Sequence, residues 1–268
     1  MEFLQITFLA ILQGVTEFLP ISSSGHLILP AELFGWEDQG LVFDVSVHVG
    51  SLFAVLYYFR GHVIELGTAW LRSLTGGQAT SQSRLAWLII LATVPAGLAG
   101  LLFNDLVEQY GRSILLIAFT SIFFAGLLYL ADRRIGSNRD LSDLNWKSAT
   151  LIGLAQMLAL IPGTSRSGAT MTAGLFANLS RHAAAQFSFL LAIPIIAASG
   201  LLKVLDFYQL GASVSDWVTL LYGVIVSGVV SYFCIHYFLK LIERLGFLPF
   251  VIYRIVLGLM LFGVYFSR

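Results

Sequence analysis

The chain has 268 residues, of which 57% are hydrophobic and 11% charged, with a mean hydropathy of +0.85; an ordinary soluble domain is about 25% charged, so these values describe an integral membrane protein. Fifteen basic residues balance fifteen acidic ones, which removes the electrostatic basis for a nucleic-acid partner. The lone Cys234 excludes an internal disulfide.

A hydrocarbon core about 30 Å thick asks for roughly 20 apolar residues per spanning helix. The N-terminal "MEFLQITFLAILQG" lacks the basic n-region of a cleaved signal peptide and opens a segment, 2–35, that is too interrupted to span. There an apolar run is followed by "PISSSGH" at 20–26 and then by a second short apolar run. The cluster would leave backbone groups unpaired in lipid unless protein or water surrounded it, so 2–35 predicts a re-entrant helix-loop-helix hairpin. It carries Gln13 and Glu17, four apart and therefore on one helix face, then Ser22, Ser23, Ser24, Gly25 and His26.

Spans are predicted at 42–59, 84–103 and 113–131. Asp44 and His48, four apart on the first of them, suit either partners behind a site or a local structural pair. His62 reads as a loop residue in a 60–84 connection. Residues 147–177 repeat the broken pattern around "PGTSRSGAT" at 162–170, which predicts a second re-entrant hairpin. His182 again reads as loop, and spans follow at 183–205, 217–238 and 248–267. His236 and Arg254 fall near span ends, where a long polar side chain is expected to snorkel.

If each hairpin enters and leaves on one face, ten basic residues share a side: Arg60, Arg72, Arg84, Arg133, Arg134, Arg139, Lys147, Arg181, Lys240 and Arg244. Three, Arg112, Lys203 and Arg268, lie on the other. The positive-inside rule makes the first side cytoplasmic and puts both termini outside. The first hairpin then enters from outside and the second from the cytoplasm, which divides a single membrane domain, 1–268, into inverted repeats at 1–131 and 147–268. A shift of 143 residues lays Gln13 on Gln156, Ser22 on Ser165, Ser24 on Ser167 and Gly25 on Gly168. The expected fold is thus all-α and polytopic, with six transmembrane helices and two re-entrant hairpins in an inverted-topology repeat, an architecture common among transporters.

Brought together, the two tips hold an acid, a histidine, hydroxyls, an arginine and glycine-rich turns opening onto helix starts. Helix N-termini favour anions and arginine grips phosphate bidentately. Glu17, with Gln13 as a neutral oxygen donor, suits a hard divalent cation such as Mg²⁺ or Ca²⁺. His26 suits a general base or a nucleophile, and Arg166 suits the charge stabilisation that phosphoryl transfer requires. Ser22, Ser24 and Ser167 taken singly are ordinary helix-packing residues. Ionisable groups cost about 2.5–3.5 kcal/mol at the bilayer centre, so Glu17 and Arg166 carry the functional reading. No Cys/His zinc pattern or Walker A loop is present.

"QGVTEFLPISSSGH" together with "PGTSRSGAT" resembles the bacterial undecaprenyl-diphosphatase family, integral membrane phosphatases linked to bacitracin resistance; "FSFLLAIP" at 187–194 and "PFVIYRI" at 249–255 extend the resemblance along nearly the whole chain. It implies hydrolysis of undecaprenyl diphosphate to the monophosphate at the outer side of the bacterial plasma membrane, recycling a lipid carrier for cell-wall polymers with the help of Mg²⁺ or Ca²⁺. By resemblance Glu17 serves the metal, with Gln13 beside it. His26 and a hydroxyl from Ser22 or Ser23 carry the attack. Arg166, with Ser165, Ser167, Gly168 and Thr170 of the same motif, holds the diphosphate. Many members have glutamate at the position of Gln13, which removes one negative charge here. The type 2 phosphatidic-acid phosphatases are a poorer match, because their second histidine would fall at Thr172. A lipid-phosphate flippase on the inverted repeat is the alternative reading, and oligomeric state, a homodimer included, is left open.

Overall fold

The computed structural model describes residues 3–36, 40–103, 113–134, 139–209 and 214–267, with side chains throughout except at 41 and 203–216. Among these residues the chain is helical, with no β-sheet. The first hairpin is α1 (Phe3–Thr16) and α2 (Ser23–Phe34), separated by a turn containing Pro20. α2 stops at Gly35, whose left-handed φ of 66° lets its N–H reach Ala31 O. α3 (Gly40–Tyr58) follows and bends by 84° into α4 (Arg60–Leu74). α5 (Ser81–Leu102) starts in a Thr80/Ser83 capping box, and α6 (Ile114–Arg133) is capped by Ser113.

A single 3₁₀ turn at Leu141–Asp143 leads to the second hairpin, α7 (Trp146–Leu158) and α8 (Arg166–Phe176). The long helices α9 (Arg181–Gln209), α10 (Val214–Leu245) and α11 (Leu248–Ser267) complete the bundle. Five of the described helices are long and apolar enough to cross a bilayer, namely α5, α6, α9, α10 and α11, and the bent pair α3–α4 brings the number to six when counted as one span. The protein is therefore a multi-pass membrane protein, and the expected six spans and two short broken hairpins are present.

Packing is reciprocal between the halves. α1 lies on α10 while α7 lies on α5, α3 packs on both α9 and α10, and α6 packs on α11. Close approach of α3 and α10 depends on Gly50: a Cβ there would overlap Ser227 and the Val224 carbonyl, so only glycine lets the backbones meet. At one end of the bundle Arg181 forms a two-pronged pair with Asp132 (2.7 and 3.1 Å), which also accepts the Phe247 N–H. Arg139 pairs by backbone with Leu179 beside it, so the connections that the charge count assigned to one face do meet there.

The 60–84 connection differs from its expectation. Its first part is α4, whose Leu66 is buried and whose Val63 and Trp70 pack on the main core. Arg60, His62, Glu65 and Arg72 lower the local hydropathy and so mask the helix. His62 therefore sits in a helix, and His182 lies in the first turn of α9, 3.0 Å from Glu243. The basic residues expected on the opposite face, Arg112, Lys203 and Arg268, fall outside the residues whose side chains are described.

Candidate active site

The chain reverses within each hairpin through a serine in the left-handed region, Ser22 at φ 73° and Ser165 at φ 71°. Side chains avoid that region, and the same short loop of bonds holds both residues there. Ser22 Oγ accepts from the Gly25 N–H at 3.4 Å and Ser165 Oγ from the Gly168 N–H at 3.1 Å. Each serine thus caps the helix it opens. Gly163, at φ 82°, completes the second turn, and a Cβ there would press on Thr120 and the Ile117 carbonyl.

Two contacts join the turns, while Thr120 Oγ1 of α6 donates to the Pro162 carbonyl at 2.6 Å. Ser167 Oγ donates to the Leu19 carbonyl at 2.7 Å, and Arg254 reaches both turns from α11. Its guanidinium, wholly buried, donates to Pro20 O on the first turn and to Gly163 O and Thr164 O on the second, and also to Thr120 O and Ser121 O on α6. The snorkelling expected of Arg254 is overturned. Its surroundings are turn carbonyls left over by two broken helices, and those acceptors solvate the charge in place of water. His236 is half-buried, 3.4 Å from the Tyr58 hydroxyl.

The two helix starts open onto one cavity of about 200 Å³. Ser22, Ser23 and Ser24 line one wall and Ser165, Arg166 and Ser167 the other; Glu17 and His48 close one side, and Ile195, Ile196 and Ser199 of α9 another. Glu17 is the centre of the polar network. Its Oε1 accepts from Arg166 Nη2 at 2.8 Å, and its Oε2 accepts from Ser23 Oγ at 2.7 Å and Gln13 Nε2 at 2.9 Å. His48 Nε2 is 3.3 Å from the same oxygen, and its Nδ1 lies 2.6 Å from the Asp44 carbonyl. Arg166 Nη1 is held by Ser188 O at 3.2 Å.

The residues singled out from sequence divide into three groups. Glu17, Ser22, Ser23, Ser165, Arg166 and Ser167 come together on the cavity wall. Gln13, Gly168 and Thr170 stand behind it: Gln13 is buried with its Oε1 unpartnered, and Thr170 Oγ1 bonds Arg166 O and Ser188 Oγ. His26 faces away from the cavity. Its Nδ1 meets Ser22 O at 2.7 Å, its Nε2 meets the Tyr253 hydroxyl at 2.6 Å, and the two rings stack at 5.6 Å. Sequence reasoning misplaced Arg254, missed Ser188 and Tyr253, and left His48 undecided. An arginine inside the apolar run "PFVIYRIVLGLML" was the available signal for the first.

A match to the family "Bacitracin resistance protein BacA" covers residues 6–260. The chain belongs to this family. Among its relatives, the protein named undecaprenyl-diphosphatase from Hahella chejuensis is 54% identical over 258 residues, 96% of each chain. Undecaprenyl-diphosphatase 1 of Pseudoalteromonas translucida is also 54% identical over 258 residues, 96% of this chain and 97% of its own. The undecaprenyl-diphosphatase of Alteromonas mediterranea is 52% identical over 267 residues and the full length of both. BacA membership thus spans both hairpins and all the residues on the cavity wall.

Proposed function

We propose that the chain is a phosphatase that cleaves undecaprenyl diphosphate into undecaprenyl phosphate and inorganic phosphate. The observation that carries this reading is the convergence of two capped helix starts, Arg166 and a serine–carboxylate pair on one cavity. Amides in the first turn of α2 and α8 suit an anion, and Arg166 supplies a planar fork for phosphate oxygens. Ser23, whose hydroxyl already donates to Glu17, attacks the terminal phosphorus while Glu17 takes its proton. The bond from that phosphorus to the bridging oxygen breaks, undecaprenyl phosphate leaves, and water then hydrolyses the phosphoserine. His26 acts behind the reacting groups, holding Ser22 through its carbonyl.

Among the described residues Glu17 is the only carboxylate on the cavity wall, and no group of three His, Cys, Asp or Glu is placed to hold a metal. That donor set fits Mg²⁺ or Ca²⁺ delivered on the diphosphate, with Glu17 as the protein's ligand and phosphate and water oxygens as the rest. When bound, the cation neutralises phosphate charge. The ten-to-three distribution of basic residues supports an orientation in the bacterial inner membrane with the cavity served from the outer side. The reciprocal packing of α1 on α10 and α7 on α5 supports the division into inverted halves, 1–131 and 147–268. Flippase activity draws no comparable support, since the relatives named above carry a hydrolase's name.

The test is phosphate release from undecaprenyl diphosphate by purified protein, with and without a chelator. Arg166→Ala is expected to lower turnover by about 10²–10³-fold, the usual loss when one transition-state donor is removed, and Glu17→Ala and Ser23→Ala to do at least as much. Right-side-out vesicles should hydrolyse added substrate and inverted ones should not. Folded wild type that binds the lipid without releasing phosphate would overturn the reading.

A further inference from the structure

A groove of about 470 Å³ lies away from the cavity, between α10, the start of α11 and the first hairpin turn. Its floor is apolar, with Leu19 from the turn, Phe238 and Leu241 from α10 and Phe250 from α11; Lys240 and Arg244 border it. These two cations are four apart on one helix, where like charges repel, and both are exposed. Glu243, the acid beside them, is 3.0 Å from His182 on α9. They lie at the end of the bundle where Asp132, Arg181 and Phe247 meet, which is the end that gathers the basic residues. An apolar channel with two cations at its mouth matches a lipid bearing a phosphate, since basic pockets between transmembrane helices bind anionic head groups.

We infer that this groove is a binding site for an anionic phospholipid of the surrounding bilayer, its head group on Lys240 and Arg244 and an acyl chain along Leu241, Phe238 and Phe250 against Leu19. The site is separate from the hydrolytic cavity and stands whether or not the hydrolase reading does. It bears on that cavity through Leu19, whose carbonyl holds Ser167. A chain lying in the groove braces the first turn from behind.

The experiment takes full-length protein from vesicles of phosphatidylglycerol mixed with phosphatidylcholine and counts retained phosphatidylglycerol by native mass spectrometry. Wild type is compared with the double variant Lys240→Gln/Arg244→Gln and with a charge-matched control, Arg72→Gln/Lys147→Gln, all checked for a monodisperse elution profile. Two cations at the membrane surface are together worth about a thirtyfold change in affinity. The expected result is a loss of that order in the first double variant and none in the control. Equal loss in both, or no retention by wild type, overturns the site. Displacement of phosphatidylglycerol by undecaprenyl phosphate at equimolar amounts also overturns it, because the groove would then belong to the product lipid.

Discussion

Gln13 and Glu17 sit side by side with an N–H between them and an unpartnered amide oxygen behind. The hydrogen bond lets two polar groups share the hairpin without an extra cation, whereas a second carboxylate at 13 would meet Glu17 as a like charge and ask for one. Gln13→Glu should therefore raise the affinity for Ca²⁺ or Mg²⁺ in the absence of substrate by about tenfold, measured by calorimetric titration of the purified protein; an unchanged titration would remove Gln13 from the cation's neighbourhood. His26 poses a different question, because its ring is fixed between Ser22 O and Tyr253 rather than facing the cavity. If the two rings act as one unit, Tyr253→Phe and His26→Asn should each slow turnover by about tenfold, the scale of one buried hydrogen bond. The double variant should then be no slower than His26→Asn alone, and additive losses would show that His26 works independently of Tyr253.

At the scale of the elements, the two hairpin turns share one local design. Ser22 and Ser165 both hold a left-handed backbone and cap the following helix. Removing the cap while keeping the Cβ is the worse change, so Ser165→Ala should destabilise by about 1 kcal/mol and Ser165→Gly by only a few tenths, read from the midpoint of thermal unfolding in detergent. The reverse order would mean that the left-handed backbone at 165 carries a Cβ at no cost. Much of this was legible in the sequence, because Pro20, Pro162 and the serine and glycine clusters interrupt apolar runs that are too short to span. The serine at the reversal was not, since a left-handed residue is expected to be glycine and a serine is tolerated only through its own cap bond. α4 was hidden for a different reason: an amphipathic helix at a membrane edge averages to the hydropathy of a loop.

For the whole molecule, Arg254 connects elements that are far apart in sequence, with carbonyls at 20, 120, 121, 163 and 164 as its acceptors. A buried carbonyl left without its donor costs about 1–3 kcal/mol, so Arg254→Met should lower the unfolding midpoint and loosen both hairpins together, seen as faster amide exchange at 17–24 and 160–168. Arg254→Lys should rescue little, because an ammonium has three donors and no fork; exchange confined to one hairpin would refute the joint role. Sequence pattern placed Glu17, Ser23 and Arg166 in one site because charged or clustered polar groups are conspicuous in an apolar chain. It misplaced Arg254 because position along a span does not reveal which flank faces protein.

The ion pair between Glu17 and Arg166 has one more consequence. At 2.8 Å the carboxylate already occupies the guanidinium that phosphate would use, so the site carries its own resident competitor. An incoming diphosphate must displace it, and a departing phosphate is replaced at once by a group that never diffuses away. Affinity is lowered on arrival and dwell time is shortened on departure, which suits a catalyst meant to clear its product rather than a receptor meant to keep it.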